Sequence, residues 1–140
     1  MFKPWIRNLF CLIGVGNLIT MSLVLPIYDH SYLSSLNPEV FSTTGLIVIG
    51  LWGLTYISIS QSYYTVPYAV LVVAMEKFFY AALWLPWMSH HGSQLGTIFQ
   101  QDIIAGLAYC AWGPYDFISG LFFLCVFVSV SKKLCRHVNR

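Results

Sequence analysis

The sequence predicts an all-α integral membrane protein: a bundle of four transmembrane helices, N-in and C-in, forming one transmembrane domain over residues 1–140. Three observations predict it. Hydrophobic residues make up 58% of the chain and charged residues only 9%, against roughly 25% charged in soluble domains. Twelve charged side chains cannot coat a water-soluble globule of 140 residues. Four apolar stretches approach or exceed the ~20 residues that a helix needs to cross a bilayer core. The basic residues collect at the two ends of the chain, and the segments between the stretches carry only acids or no charge.

The first predicted helix covers about 6–25 and stops at Pro26. Lys3 and Arg7 at its start give it the look of a secretory signal. Its apolar run is long for a signal, and Pro-Ile-Tyr-Asp-His follows where small-x-small would mark cleavage. A retained helix is expected. The second covers about 40–60, after Asn37-Pro38. Tyr63, Tyr64 and Pro67 mark a short link to the third, at about 66–88. Residues 89–102 are polar and hold Gly92 and Gly96, which predicts a loop, with 95–99 lying in the membrane interface. The fourth covers about 103–130, longer than an upright span requires, and Gly113-Pro114 predicts a kink because Pro114 cannot donate to the carbonyl of Cys110.

Orientation follows from lysine and arginine. Lys3 and Arg7 flank the start, and Lys132, Lys133, Arg136 and Arg140 follow the last helix. The loops at 26–39 and 89–102 carry Asp29, Glu39 and Asp102. Both termini are therefore expected in the cytoplasm, with a plasma or inner membrane as the location. Trp5, Trp84 and Trp87 lie near predicted boundaries, as an aromatic belt would.

One constellation carries candidate chemistry. Lys77 is the single basic residue away from the ends, and it sits beside Glu76 at the centre of the third predicted helix. Asp116 and Asn17 fall near the centres of the fourth and first. A charge at that depth costs about 2.5–3.5 kcal/mol on insertion scales, so these side chains should face one another rather than lipid. Val73, Glu76, Lys77, Tyr80 and Trp84 share one side of the third helix at three- and four-residue steps. Tyr109, Trp112, Gly113, Asp116, Ser119 and Gly120 do so on the fourth. Tyr80, Tyr109, Trp112 and Ser119 are candidate pocket lining, and the stretch from Trp112 to Tyr115 sits beside Asp116. Two carboxylates face one ammonium. Lys77 can pair with Asp116 across the helices or with Glu76 on its own helix; the ~100° between neighbours on a helix favours the interhelical pair.

Gly106, Gly113 and Gly120 recur every seven residues and predict a seam where another backbone approaches closely. Gly14 and Gly16 on the first helix, with Gly50 and Gly53 on the second, offer partner surfaces. Trp52-Gly53 and the residues after it faintly echo Trp112-Gly113 and theirs.

Much chemistry is disfavoured by what the sequence lacks. Cys11, Cys110, Cys125 and Cys135 do not form C-x-x-C, so neither a disulfide framework nor zinc is expected. His90-His91, His30 and Asp29 offer no metal site, since adjacent histidines point apart. No predicted helix holds a histidine at depth for haem, and no glycine-rich phosphate loop exists. No cofactor, no metal and no nucleic-acid partner is expected. The leading expectation is a non-catalytic ligand-binding or accessory subunit whose partners are membrane lipids and a small apolar or amphiphilic ligand or a larger membrane complex, with a homo-oligomer open. Two alternatives remain. One is a lipid- or sterol-modifying enzyme with Glu76 and Asp116 as acid and base. The other is a proton-coupled carrier or channel subunit using the same trio. Against all three stands a purely architectural role, in which a buried charge pair fixes helix register.

Overall fold

Capping chemistry decides where the helices begin. The computed structural model describes residues 3–138, with side chains as far as residue 133; the side chains of Cys135 and Arg136, and Met1, Asn139 and Arg140, lie outside the described residues. Helix α1 (Pro4–Met21) starts on a proline at its first position, where a missing N–H is harmless, and runs into a 3-10 turn at Ser22–Val24 ahead of Pro26. Two short helices follow, α2 (Ser31–Leu36) and α3 (Pro38–Phe41). Asp29 closes the turn into α2 by accepting the Ser31 N–H at 2.9 Å, and that backbone hydrogen bond holds its carboxyl below the ordinary carboxylate value. Helix α4 (Thr43–Ile59) is capped by Ser42, whose Oγ accepts the Gly45 N–H at 3.2 Å. That cap explains why α4 starts three residues after the predicted boundary at 40: Val40 and Phe41 belong to the separate turn before it.

Helix α5 (Pro67–His91) passes through Pro86 and outlasts its predicted end at 88. The predicted loop is itself mostly helical: a 3-10 turn at Gly92–Gln94 leads into α6 (Leu95–Gln101). Asp102 then breaks the chain and caps α7 (Ile103–Val138), its Oδ1 accepting from Ile104 at 2.8 Å and Ala105 at 3.0 Å. Helix α7 continues through Pro114 and past the predicted end at 130. Among the described residues the fold is all-helical. Three segments are long and apolar enough to cross a membrane: Pro4–Val24, Pro67–Gln101 and Ile103–Lys133. Helix α4 is apolar but has 17 residues, about 25 Å at 1.5 Å per residue.

The chain divides into two compact units, Met1–Val66 and Pro67–Arg140. In the first, α1 and α4 form an antiparallel hairpin. Gly14 and Gly53 meet at its centre: a Cβ on Gly14 would lie 2.6 Å from the Gly53 carbonyl oxygen, and one on Gly53 would lie 2.6 Å from the Gly14 carbonyl oxygen. A Cβ on Gly50 would overlap Met21. Small residues of the first and second predicted helices, offered as partner surfaces, thus meet each other. Tyr63, buried in the turn after α4, stacks on Phe10 at 5.7 Å and accepts the Lys3 N–H at 2.6 Å, tying that turn to the start of α1. The sequence marked Tyr63 only as part of a link.

In the second unit α5 and α7 are also antiparallel, and α6 packs on α7. The expected backbone seam along Gly106, Gly113 and Gly120 takes a different form. Each glycine receives an aromatic ring: Phe99 of α6 over Gly106, Trp84 over Gly113 and Phe78 over Gly120. Spacing of small residues reports where a helix has hollows. What fills them depends on the partner, and the partners here are rings. The two Trp-Gly echoes accordingly differ in use, Gly53 meeting a backbone and Gly113 an indole.

Candidate functional site

The inward stripe of α7 is read off the burial pattern. Tyr109, Trp112, Gly113, Asp116, Ser119 and Gly120 are all buried, while Cys110, Tyr115, Phe117 and Ile118 between them are exposed. On α5, Val73, Ala74, Glu76, Lys77 and Ala81 are buried, Tyr80 and Trp84 half-buried, and Met75 and Phe79 exposed. Both faces follow the helical repeat, as an apolar surround on the far side requires.

These stripes bring Lys77 and Asp116 together. The Lys77 ammonium donates to Asp116 Oδ1 at 2.6 Å, with the two side chains 3% and 7% exposed. The interhelical pairing is thus the one formed. Trp112, one turn before Asp116, hydrogen-bonds the same carboxylate. The Tyr115 ring lies over the ammonium, its centroid 5.2 Å from Nζ, a cation–π distance. Glu76 is buried beside Lys77. Tyr80 and Tyr115 each lie within electrostatic reach of both Glu76 and Asp116, so the two acids belong to one cluster. Ser119 is buried three residues beyond Asp116.

Asn17, the fourth member of the predicted cluster, belongs to the first unit, where its amide donates to the Ile49 carbonyl at 3.1 Å. It thereby links α1 to α4. Tyr109 and Trp112, read as lining, are buried among other rings. Tyr109 is fully buried, stacked on Trp87 at 3.9 Å and edge-on to Trp112 at 6.2 Å. Trp87 stacks in turn on His91 at 5.1 Å. This aromatic column fills the α5–α7 interface between the ion pair and the α6 end. Sequence reasoning placed Trp84 and Trp87 in a boundary belt, and Trp84 also on the inward side of the third helix. Only the facing glycine at 113, three residues before the aspartate, marked a seat for a large ring.

Trp84 uses that seat to reach the backbone. Its indole N–H donates to the Tyr109 carbonyl at 2.8 Å, next to the carbonyl of Cys110 that Pro114 leaves without its helical donor. Trp84→Phe is expected to lower stability by about 1 kcal/mol, the usual net worth of a hydrogen bond. Gly113→Ala is expected to cost more, since its Cβ would overlap the ring. Thermal melting of the two variants in detergent orders them; equal melting temperatures would mean the ring does not rest on the glycine.

The His90 and His91 rings lie edge to face, inclined at 74° with centroids 6.5 Å apart, and His91 Nδ1 lies 3.2 Å from the Trp87 carbonyl. Among the described residues no three histidine, cysteine, aspartate or glutamate side chains gather as a metal site would require. What the cluster supplies is charge: an ammonium and two carboxyl groups in an apolar interface, bordered by two half-open phenol rings. No protein-family model matches this chain, and no curated protein or solved structure matches it either.

Proposed function

We propose that this chain is a four-span membrane protein, with both termini cytoplasmic, that acts as a non-catalytic subunit binding a small amphiphilic ligand at the charged cluster of α5 and α7. The carrying observation is the state of the ion pair. Lys77 and Asp116 neutralise each other at 2.6 Å, and the carboxylate takes a further hydrogen bond from Trp112. An acid–base catalyst needs a group poised to exchange a proton with substrate. Asp116 is instead engaged with Lys77 across the helix interface, which favours binding over turnover. The exposed apolar side chains along the helices, Leu12, Ile19, Leu51, Val72, Phe79 and Ile118 among them, suit a chain solvated by lipid.

The fourth span rests on α4. Its 17 residues sit at the lower limit of about 17–25 for a spanning helix, and a short span is accommodated by local thinning of the bilayer. The orientation rests on the terminal lysines and arginines. Reporters fused at Met1 and Asn139 are expected to read cytoplasmic, and one inserted at Gly92 to read outside; a cytoplasmic Gly92 reporter overturns the arrangement. For the binding role, native mass spectrometry of the gently extracted chain is expected to show a retained small-molecule or partner mass that Lys77→Met loses. A bare chain that instead turns over a lipid substrate, with activity lost in Glu76→Gln and Asp116→Asn, would establish the enzyme reading.

A further inference from the structure

Helix α7 is longer than the helix it pairs with. Its 36 residues, Ile103–Val138, extend about 54 Å at 1.5 Å per residue, against a hydrocarbon core of ~30 Å. Helix α5 begins at Pro67, and beside that start the Tyr68 ring meets Phe127 of α7, with centroids 6.3 Å apart. The turns of α7 from Val130 onward therefore project past the start of α5, by about 12 Å. The part of α7 that is apolar enough to cross a membrane ends at Lys133, so the basic residues begin in its last turn and continue beyond it. Lys132 and Lys133 are exposed. No acid follows Asp116 in the sequence, and Asp102 caps the opposite end of α7. Counter-charge for the projecting turns must come from outside this stretch of chain.

The residue order in these turns is more than a charged helix end requires. At about 100° per residue, the positions of Lys132, Lys133, Arg136 and His137 fall on one side of the helix, and those of Val130, Leu134 and Val138 on the other. A helix C-terminus attracts cations through its dipole, but that field has no preference around the helix axis. Two segregated arcs match a boundary between two media, one apolar and one negatively charged. A soluble anion would satisfy the basic arc alone. The surface of an anionic bilayer offers both media within one helix diameter, acyl chains beneath and phosphates above. A long span tilts to fit the core, and tilt lays the projecting turns along that boundary.

We propose that the projecting end of α7, from Val130 to Val138, is a binding surface for anionic phospholipid headgroups. The basic arc holds the lipid phosphates, and the apolar arc seats in the acyl region. Zwitterionic headgroups present no net charge for the arc to hold, so the surface selects lipids by charge. No residue of the Lys77–Asp116 cluster takes part, and the inference stands apart from the ligand-binding reading above.

The test titrates the purified full chain, in micelles of a neutral detergent, with phosphatidylserine and phosphatidylcholine in equal amounts. Native mass spectrometry counts the lipids retained. A micelle has no sides, so the orientation of the chain does not enter. The expected result is retention of phosphatidylserine over phosphatidylcholine, with the preference falling as salt is raised. Lys132→Gln combined with Lys133→Gln should lower the preference by about fivefold per charge removed, the equivalent of ~1 kcal/mol each near a membrane surface. Lys132→Arg combined with Lys133→Arg should retain it. Both side chains are exposed, so neither exchange disturbs packing. The control removes the same charge from the start of the chain, with Lys3→Gln and Arg7→Gln. There Lys3 lies over the Trp5 ring at 5.9 Å, and Arg7 donates to Asn8 at 3.0 Å and 3.2 Å, so most of the preference should remain. Equal retention of the two lipids, a preference indifferent to salt, or an equal loss from the control pair would each overturn the proposal.

Discussion

Lys77→Met is expected to destabilise the protein by about 3–5 kcal/mol, the range seen when one partner of a buried ion pair is removed. Methionine keeps most of the apolar stem, so packing changes little. What changes is that Asp116, 7% exposed in its side chain, loses the ammonium that neutralises it. Adding Asp116→Asn should recover much of the loss, because no charge is then left stranded. The measurement is a double-mutant cycle followed by thermal melting near neutral pH in detergent. Additive losses with no recovery in the double variant would sink the pairing as an energetic unit. Full recovery with the retained mass unchanged in the native mass spectrum would reduce the pair to an architectural device. The wild-type pair need not add net stability, since desolvating two charges offsets much of their attraction. The prediction concerns the asymmetry: keeping one charge costs far more than keeping both or neither.

Gly53→Leu is expected to rank next, at about 1–3 kcal/mol or more, because nothing at that position can yield. A Cβ there would meet the Gly14 carbonyl oxygen at 2.6 Å and the Asn17 Cβ at 2.8 Å. The first of these is helix backbone, so relief requires α1 and α4 to move apart. Separation would also stretch the 3.1 Å hydrogen bond from Asn17 to Ile49. Gly96→Ala in α6 is the control: a Cβ there meets nothing within 4 Å, and alanine gains up to about 1 kcal/mol of helix propensity over glycine. The two variants should therefore shift melting in opposite directions. A Gly53→Leu chain that melts with the wild type would show that the glycine contact does not hold the hairpin together.

The candidate site was legible to an unusual depth for one reason. In an apolar chain a charged residue stands out, and the cost of burying it alone dictates that it finds a partner. Lys77 and Asp116 could be singled out from the residue order, and the ~100° step between neighbours on a helix favoured the interhelical pair. Asn17 was drawn into the same group by depth alone. Depth does not say which way a side chain turns, and its amide serves the α1–α4 contact. Trp84 and Trp87 were placed in a boundary belt, Trp84 also on the inward side, because tryptophan near a span boundary suits an interface belt and a packed core equally well, and only the ring's neighbour distinguishes them. The start of α4 slipped because a cap, not hydropathy, set it, at Ser42, whereas α7 starts where predicted, after Asp102.

By itself the sequence determined the all-helical class and the apolar character of the long helices. Composition and apolar run length call for helices, because a chain with 9% charge must satisfy its backbone hydrogen bonds internally. It also determined that one cluster of charge would be buried and would carry one carboxylate more than it has ammonium groups. Only the tertiary structure decided the pairings. Lys77 meets Asp116 because α5 and α7 run antiparallel in a register that sets Trp84 on Gly113 and Phe78 on Gly120. That register is fixed by the fit of rings into hollows, a matter of shape between residues far apart in the chain, and local periodicity does not encode it.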